Sequence, residues 1–408
     1  MNSGVAMTAM SLGPAYNRLW LATALSNLGD GIRAAALPML ATSITSDPVL
    51  VSGVIVAGQS PWLLFGLFAG AVVDRHDQRR LTIVVDVARV LLLLVLIAGL
   101  ALDVAGIALV YAVAFACGVG ETLRDSATAT LLPPLVSEAD LDRANGGLVN
   151  AEVAGNELVG PQIGTFLFGV AMVLPFAVNG GTLAVAAALI FSLPNVFAPK
   201  APPSGGKRQI WADTRAGLRW LVRHRRLRAL AALGGTFALV DSAWFAILVL
   251  YVDEVLGLPY WAYGTLLTAG SVGGLAGGFF AARVTRLVGS TAVLAGCLVS
   301  AAAGQLMLAL TTSVPVAAAG LVITSGAFGV WAVAARTLRQ RLTPPELLGR
   351  VSSAWLTIVM GAVPLGAGIG GLVGRGWGVT APILVGVPVL AMCALVCFRT
   401  FRGHDDPA

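Results

Sequence analysis

The chain has 408 residues, of which 57% are hydrophobic and 11% are charged. Soluble globular proteins carry about 25% charged residues, so this composition excludes an ordinary soluble domain and indicates a membrane protein. The 26 basic residues outnumber the 20 acidic ones. Such an excess can indicate nucleic-acid binding, but the positions of the basic residues give a different explanation.

Twelve apolar segments follow one another along the chain, each near the roughly 20 residues that cross about 30 Å of hydrocarbon as a helix. The sequence therefore predicts an all-α membrane protein. The segments lie at 19–44, 49–73, 81–102, 106–132, 146–172, 175–197, 229–252, 260–282, 290–311, 315–338, 352–374 and 379–399. The residues before the first segment lack the features of a cleavable signal, so we expect that segment to remain as a spanning helix.

The basic residues follow the predicted topology. If the N-terminus is cytoplasmic, nearly all of them fall in segments on the cytoplasmic side, and only Arg375 lies in an outer loop. Membrane proteins carry this excess in their cytoplasmic loops. Only two lysines occur, which is typical of a GC-rich bacterial genome. We therefore expect a multi-pass protein of a bacterial inner membrane, with both termini cytoplasmic and no nucleic-acid partner.

The longest polar interruption separates two similar halves. It begins as a Pro, Gly and Ser linker and continues as an amphipathic basic helix of the kind that lies at a membrane surface. The predicted units are 1–197, 198–228 and 229–408. Across the halves, Gly164 matches Gly371 and Asp30 matches Asp241. A parallel repeat of six plus six helices is typical of one transporter class, which binds its substrate between the halves near the middle of the membrane.

The loop between the second and third segments carries a recognisable motif. It reads Gly70-Ala-Val-Val-Asp74-Arg75-His-Asp-Gln-Arg79-Arg80. It resembles the G-x-x-x-D-R-x-x-R-R motif that the major facilitator superfamily carries at this place, with Asp77 where that motif often has glycine. The resemblance implies twelve transmembrane helices in two pseudo-symmetric six-helix bundles, and a cytoplasmic gate formed by this loop.

A second resemblance spans the fourth and fifth segments. The run GETLRDSATATLLPPLVSEADLDRANG, followed by NELVGPQIGTFLFG, is similar to the drug:proton antiporter branch of that superfamily, which includes macrolide-efflux-like and enterobactin-exporter-like proteins. The helix-5 motif of that branch corresponds to Gly160, Pro161 and Gly164, while Thr165 and Asn156 replace two of its glycines. The resemblance covers essentially the whole chain. It implies a monomer that uses a proton gradient and needs no cofactor.

Charged residues interrupt the apolar segments. Glu121, Arg124 and Asp125 share one face of the fourth helix. Each charge near the centre of a lipid-exposed helix costs about 2.5–3.5 kcal/mol, so we expect these residues to line a water-accessible cavity instead. The other candidates for this proton-coupling and substrate cavity are Asp30, Arg33, Glu152, Asn156, Glu157 and Asp241.

Six acids against two arginines favour partial protonation, and such a carboxyl can carry a coupling proton. Asp125 or Glu121 would exchange protons and substrate, and Arg124 would adjust their proton affinity. In a static alternative, Arg124 clamps its two neighbouring acids and so holds helices together, and the two acids of the fifth segment are structural as well. Asp86 and Arg89 of the third segment are expected to pair with each other.

The second half offers aromatic side chains instead of charges. The candidates for the cavity are Trp244, Phe245, Trp331 and Trp355. Such residues suit apolar or aromatic substrates. The four cysteines have no spacing to histidine that is typical of a metal site, so we expect no metal.

These features favour a secondary transporter that exports a small amphipathic compound, such as a drug, a macrolide or a siderophore, by proton-coupled alternating access. A symporter that imports a nutrient or a lipid would use the same fold and carboxylates, so it stays open as an alternative. An intramembrane aspartyl protease needs two close aspartates. However, the sequences around Asp30 and Asp241 lack the motifs of such enzymes, and the internal repeat explains the pair. We therefore do not expect an enzyme.

Overall fold

The computed structural model describes residues 12–73, 75–137, 140–194, 218–344 and 347–402. In those ranges the chain is helical and contains no strand. The helices before the central linker are α1 Pro14–Ile44, α2 Pro48–Val73, α3 Gln78–Ala101, α4 Ile107–Leu131, α5 Leu141–Val153, α6 Gly160–Val170 and α7 Leu174–Phe191. Those after it are α8 Arg225–Phe245, α9 Tyr260–Val288, α10 Ser290–Leu310, α11 Val314–Leu342, α12 Leu348–Trp377 and α13 Ala381–Phe401.

Two passages across the membrane are composite. A π-helical stretch, Ala154–Val159, joins α5 to α6, and the three together form the fifth passage. A one-turn helix, Leu248–Leu250, and a second π-helical stretch, Tyr251–Val255, extend α8 to form the seventh. Each of the twelve predicted segments coincides with one of these passages. Most of the predicted ends lie within a few residues of the observed ones.

Ten of the described helices are long and apolar enough to cross a membrane. The two passages outside this group are α1 and the composite fifth, which contain charged residues such as Arg33 and Glu152. The 31 residues of α1 still exceed the roughly 20 that a bilayer requires. The prediction of an all-α membrane protein is confirmed.

The predicted linker, 198–228, falls mainly outside the described residues, which resume at residue 218. The part that is described contains a short helix at 218–223, and α8 begins at Arg225. The boundaries at 197 and 229 between the predicted units stay predictions.

Glycine brings α1 and the fifth passage into backbone contact. Gly155 lies against the backbone of Asn27 and Leu28, and Gly160 lies against Gly31. A side chain at either glycine of the fifth passage would overlap main-chain atoms of α1. Small residues of this kind let membrane helices pack closely where lipid provides no hydrophobic driving force between them. The polar residues of the two helices are thereby held side by side.

The packing of α8 against α12 repeats this arrangement after the linker. Gly370 lies against the backbone of Ala243, just as Gly164 lies against the backbone of Ile32. The counterpart of Gly164 is therefore Gly370, and the predicted match with Gly371 is wrong by one residue. Gly371 points instead at α2.

Two seams join the bundle before the linker to the bundle after it. In the first seam α2 packs on α12, and Ser52 lies against Gly371. In the second seam α6 packs on α9, and Thr165 lies against Gly264. Each seam sets a glycine of the second bundle against a hydroxyl residue of the first. The two bundles therefore approach closely at both seams.

The hydrophobic core is continuous on one side of the membrane and divided on the other. On the side of the turn between α1 and α2, one cluster combines buried residues of both bundles. On the side of the termini, each bundle has a separate cluster among the described residues. An ion pair of 3.6 Å between Arg375 and Asp47 also joins the bundles on the first side. The bundles are thus closed against each other there and separate towards the termini.

Replacing Gly164 with alanine should weaken the fold, because the new methyl group would meet the backbone of Ile32. Overpacking of a close contact costs about 1–3 kcal/mol. We expect that loss in the free energy of unfolding, seen as a lower melting temperature of the purified protein in detergent. Gly169→Ala is the control on the same passage, since no atom lies within 4 Å of its Cβ position. An equal loss in both variants would contradict the close-packing explanation.

Candidate functional site

A cavity of about 480 Å³ lies between the two bundles. One wall comes from α1, α2 and the fifth passage, and the other comes from α8, α9 and α11. A smaller cavity of about 220 Å³ adjoins it within the first bundle. The residues that line both are Ala34, Ile55, Gln59 and Asn156. This position between the repeats is where the internal repeat predicts a substrate site.

Asp30 is the centre of a buried ion-pair network in the wall of the smaller cavity. Its carboxylate pairs with Arg89 of α3 and, at 3.4 Å, with Arg33 of its own helix. Arg33 also donates to Glu121 of α4 at 2.9 Å. Asp30 and both arginines are buried, whereas 24% of the Glu121 side chain is exposed. Glu121 is therefore the member of this group most open to the cavity.

A second buried ion pair lies beside the first group. Arg124 pairs with Asp86 of α3 and donates a further hydrogen bond, of 3.0 Å, to the carbonyl oxygen of Ala22. The predicted pair of Asp86 with Arg89 is wrong, because each of these side chains reaches a charge on another helix instead. Arg89 thus ties α3 to α1, and Asp86 ties α3 to α4.

The group around Asp30 and the pair of Arg124 with Asp86, together called the ion-pair network below, contain as many acids as arginines. The members of the network are Asp30, Asp86 and Glu121 against Arg33, Arg89 and Arg124. Removing one partner of a buried pair leaves an uncompensated charge, which is far more costly than a matched set. The sequence analysis placed Asp86 and Arg89 outside the site. The signal that could have found them is an acid and a base three residues apart within an otherwise apolar helix.

Asp125 lies one turn from Glu121 on α4 but forms no ion pair within the described part of the chain. It is half-buried; the charges of Glu121, Asp30 and Glu152 repel it, and that of Arg124 attracts it without forming an ion pair. The predicted clamp of Arg124 on its two neighbouring acids does not form, because Arg124 turns to Asp86 instead. Asp125 is thus a carboxyl without a fixed counterion.

The π-helical stretch Ala154–Val159 and the proline after it alter the backbone hydrogen bonds beside the large cavity. Pro161 has no N–H, so the carbonyl oxygen of Glu157 cannot accept the i+4 bond of a regular α-helix. Ser271 of α9 lies 2.7 Å from that oxygen and can donate to it. The hydroxyl is also 3.0 Å from the carbonyl oxygen of Leu267 in its own helix. π-bulges are frequent at functional sites, and this one forms a polar contact between the bundles.

The other predicted residues of the fifth passage differ in position. Asn156 and Glu157 line the large cavity, and Asn156 donates to Asn27 of α1 at 2.9 Å. Glu152 is exposed and lies outside the linings of both cavities. Asp241, from α8, lines the large cavity on the opposite wall. The cavities therefore bring together most of the predicted charged residues.

One of the four predicted aromatic residues lies on the cavity wall. Phe245 lines it and is 39% exposed. The other three candidates, Trp244, Trp331 and Trp355, are buried, with exposures of 2%, 3% and 9%. Their predicted place in the cavity is wrong, because the indole rings turn into the hydrophobic clusters. Tyr263 and Phe328, which the sequence analysis did not select, line the cavity instead.

The loop between α2 and α3 contacts its own bundle. Arg79 donates to the carbonyl oxygens of Ile190, at 3.2 Å, and of Phe191 at the C-terminus of α7. Asp77 caps α3 by accepting from the backbone N–H of Arg80 at 2.9 Å, which explains an acid at the glycine position of the motif. The other predicted gate residues are Gly70 in α2, Arg75, which is exposed, and Asp74, which lies outside the described residues. The gate itself stays a prediction.

The described residues form twelve helical passages in two similarly packed bundles, with a partly charged cavity between them, and this arrangement defines a membrane transporter of the major facilitator superfamily. The family described as a transmembrane secretion effector matches residues 9–404, and the chain belongs to it. The resemblance to the major facilitator superfamily and its efflux branch is thereby confirmed.

Known relatives span the full length of the chain. The multidrug efflux pump Tap of Mycolicibacterium fortuitum is 26% identical over 96% of this chain and 97% of its own. The enterobactin exporter EntS of Shigella boydii is 25% identical, covering 97% and 95%. A bacterial homologue of the iron transporter ferroportin, in an inward-facing state, superimposes with a TM-score of 0.78 at 15% identity, covering 96% and 100%. The protein is thus a multi-pass membrane transporter of small molecules and not an enzyme.

The variant Arg124→Gln should lose about 3–5 kcal/mol in the free energy of unfolding, because it leaves Asp86 buried without a counterion. The double variant Arg124→Gln with Asp86→Asn should recover part of that loss, since it removes both charges. Thermal unfolding in detergent measures both effects. Arg80→Gln is the control, since Arg80 is 84% exposed in its pair with Asp77 and such pairs contribute about 0–1 kcal/mol. A double variant as unstable as the single one would contradict the pairing.

Proposed function

We propose that the protein exports small amphipathic compounds by proton-coupled alternating access. The observation that carries this proposal is the charge-balanced set of six side chains in the first bundle. Three of them, Asp30, Arg33 and Glu121, line the smaller cavity, which adjoins the cavity between the bundles. A balanced set responds to a single proton, because protonation of one acid leaves one arginine without its counterion in apolar surroundings. The energy source is the proton gradient, and no cofactor takes part.

Glu121 is the proton-carrying member of the network in this proposal. It is bonded to Arg33 and is partly exposed to the smaller cavity, whereas Asp30 and Asp86 are buried and paired. A proton on Glu121 removes the attraction that holds Arg33 towards α4. Asp30, which already pairs with both Arg33 and Arg89, then remains as the acid that holds Arg33. This change links proton uptake to the relative positions of α1 and α4.

Alternating access would exchange the two sides of the protein: the side on which the bundles are closed would open, and the side on which they are separate would close. If both termini lie in the cytoplasm of a bacterial cell, as the basic residues predict, the separate side faces the cytoplasm and the conformation is inward-facing. The loop of Asp74, Arg75 and Arg79 would close this side when the bundles rock and the outward-facing state forms. Both walls of the cavity come from one chain, which supports a monomer as the working unit.

The proposed substrates are drug-like or siderophore-like compounds. A cavity of about 480 Å³ falls within the roughly 300–1,000 Å³ of sites that take drug-sized ligands. One wall carries Glu157 and two amides, and the other carries Asp241 together with aromatic and aliphatic side chains. The relatives Tap and EntS are named for the efflux of drugs and of enterobactin, which supports export over import.

The test uses inside-out membrane vesicles that contain the protein and hold an acidic lumen. We expect a transported compound from a panel of macrolides, lipophilic cations and siderophores to enter the lumen and release protons from it. In Glu121→Gln, whose amide cannot carry the proton, the compound should no longer release protons. A pH-sensitive dye in the lumen follows the exchange.

Two further variants give this test its controls. Asp103→Asn should behave as wild type, since Asp103 is an exposed turn residue whose φ of 55° asparagine also adopts. Asp125→Asn distinguishes the two candidate proton carriers. If Asp125→Asn stops proton release while Glu121→Gln does not, Asp125 is the carrier. Accumulation of compound without proton movement in wild type would refute the coupling. Movement of compound and protons in the same direction, out of the lumen, would indicate import by symport.

A further inference from the structure

Asp241 is a carboxylate of the large cavity that the ion-pair network does not use. It lies on the α8 wall, across the cavity from the network, and is half-buried. Among the ion pairs of the described residues none involves Asp241. The acids of the network each have an arginine, whereas this acid has no basic partner of that kind. A positive charge in the cavity would therefore find its counterion at Asp241.

The cavity wall that carries Asp241 is mainly apolar and aromatic. Phe245 follows one turn later on the same face of α8 and is 39% exposed. Phe328 of α11 and Tyr263 of α9 line the same cavity. An aromatic ring attracts a cation placed over its face, and the attraction grows when water is excluded. A carboxylate beside aromatic rings thus suits a cation with an apolar body.

Glu157 is the other carboxylate in the lining of the large cavity, and its setting differs. Its side chain is exposed, and it lies on the wall that also carries Gln59 and Asn156. This wall offers amide dipoles, whereas the aromatic rings belong to the wall of Asp241. The combination of counterion and apolar contact is therefore found at Asp241.

We propose that Asp241 binds the positive charge of an organic monocation, whose apolar body lies against Phe245 and Phe328. The inference rests on the proposed function in that it treats this cavity as the substrate site. It concerns equilibrium binding alone, so it holds or fails independently of proton coupling.

The test measures binding of tetraphenylphosphonium and tetraphenylborate, two ions of similar shape and opposite charge, to the purified full-length protein in detergent. Equilibrium dialysis gives both dissociation constants. We expect the wild type to bind the cation and to bind the anion at least about tenfold more weakly. Asp241→Asn should bind the cation at least about tenfold more weakly than wild type does, because the cation loses its counterion. Asp241→Glu should keep most of the affinity.

Glu157→Gln is the matched variant, because it removes a negative charge from the opposite wall of the same cavity. We expect it to weaken cation binding less than Asp241→Asn does. Equal affinity of wild type and Asp241→Asn for the cation would overturn the proposal, as would a larger loss in Glu157→Gln than in Asp241→Asn. Thermal unfolding of each variant checks that it is folded. If cation binding behaves as expected while the vesicle test finds no proton movement, the site stands and the coupling mechanism fails.

Discussion

The cost of charge in an apolar bundle determines the arrangement of the helices before the linker. A carboxylate or guanidinium that faces lipid is expensive, and one that is buried without a counterion is more expensive still. Asp30, Arg33 and Arg89 can be buried together only if α1 and α3 hold them within reach of one another. Glu121 then fixes α4 to the same group. The backbone contact between α1 and the fifth passage places Asn156 beside this network and so completes the wall of the smaller cavity.

The two bundles share a packing scheme but not a chemistry. The contact of Gly164 with α1 recurs as the contact of Gly370 with α8, which shows that the repeat extends to the detail of helix approach. The charges do not recur, because the ion-pair network belongs to the first bundle alone in the described residues. The second bundle contributes Asp241 to the cavity, together with Phe245 and other apolar side chains. In the proposed function, the first bundle supplies the network that exchanges protons, and the second supplies a surface that holds an apolar ligand.

Much of the fold follows from the sequence, because helix length and hydropathy are local properties. The number of passages and their order could be predicted in this way, and the place of the cavity followed from the internal repeat. The pairing of charges could not be predicted, because it depends on which helix faces which. Asp86 and Arg89 are three residues apart and suggest a local pair, yet both reach across to other helices. The direction of an indole ring depends in the same way on the neighbouring helices, which is why Trp331 lies in the core and Phe328 lines the cavity.

The hydroxyl groups at the seams have a further consequence for motion. Ser52 and Thr165 each have an acceptor in their own helix at 3.1 Å, the carbonyl oxygens of Val49 and Gln162. Ser271 has the same option in its own helix, at 3.0 Å. When the bundles move apart, these donors keep a partner and no hydroxyl is left unsatisfied within the membrane, where such a group would cost several kcal/mol. A hydroxyl residue with an acceptor in its own helix thus forms a close contact when the two bundles are together. That contact costs little to break, which is what a reversible interface requires.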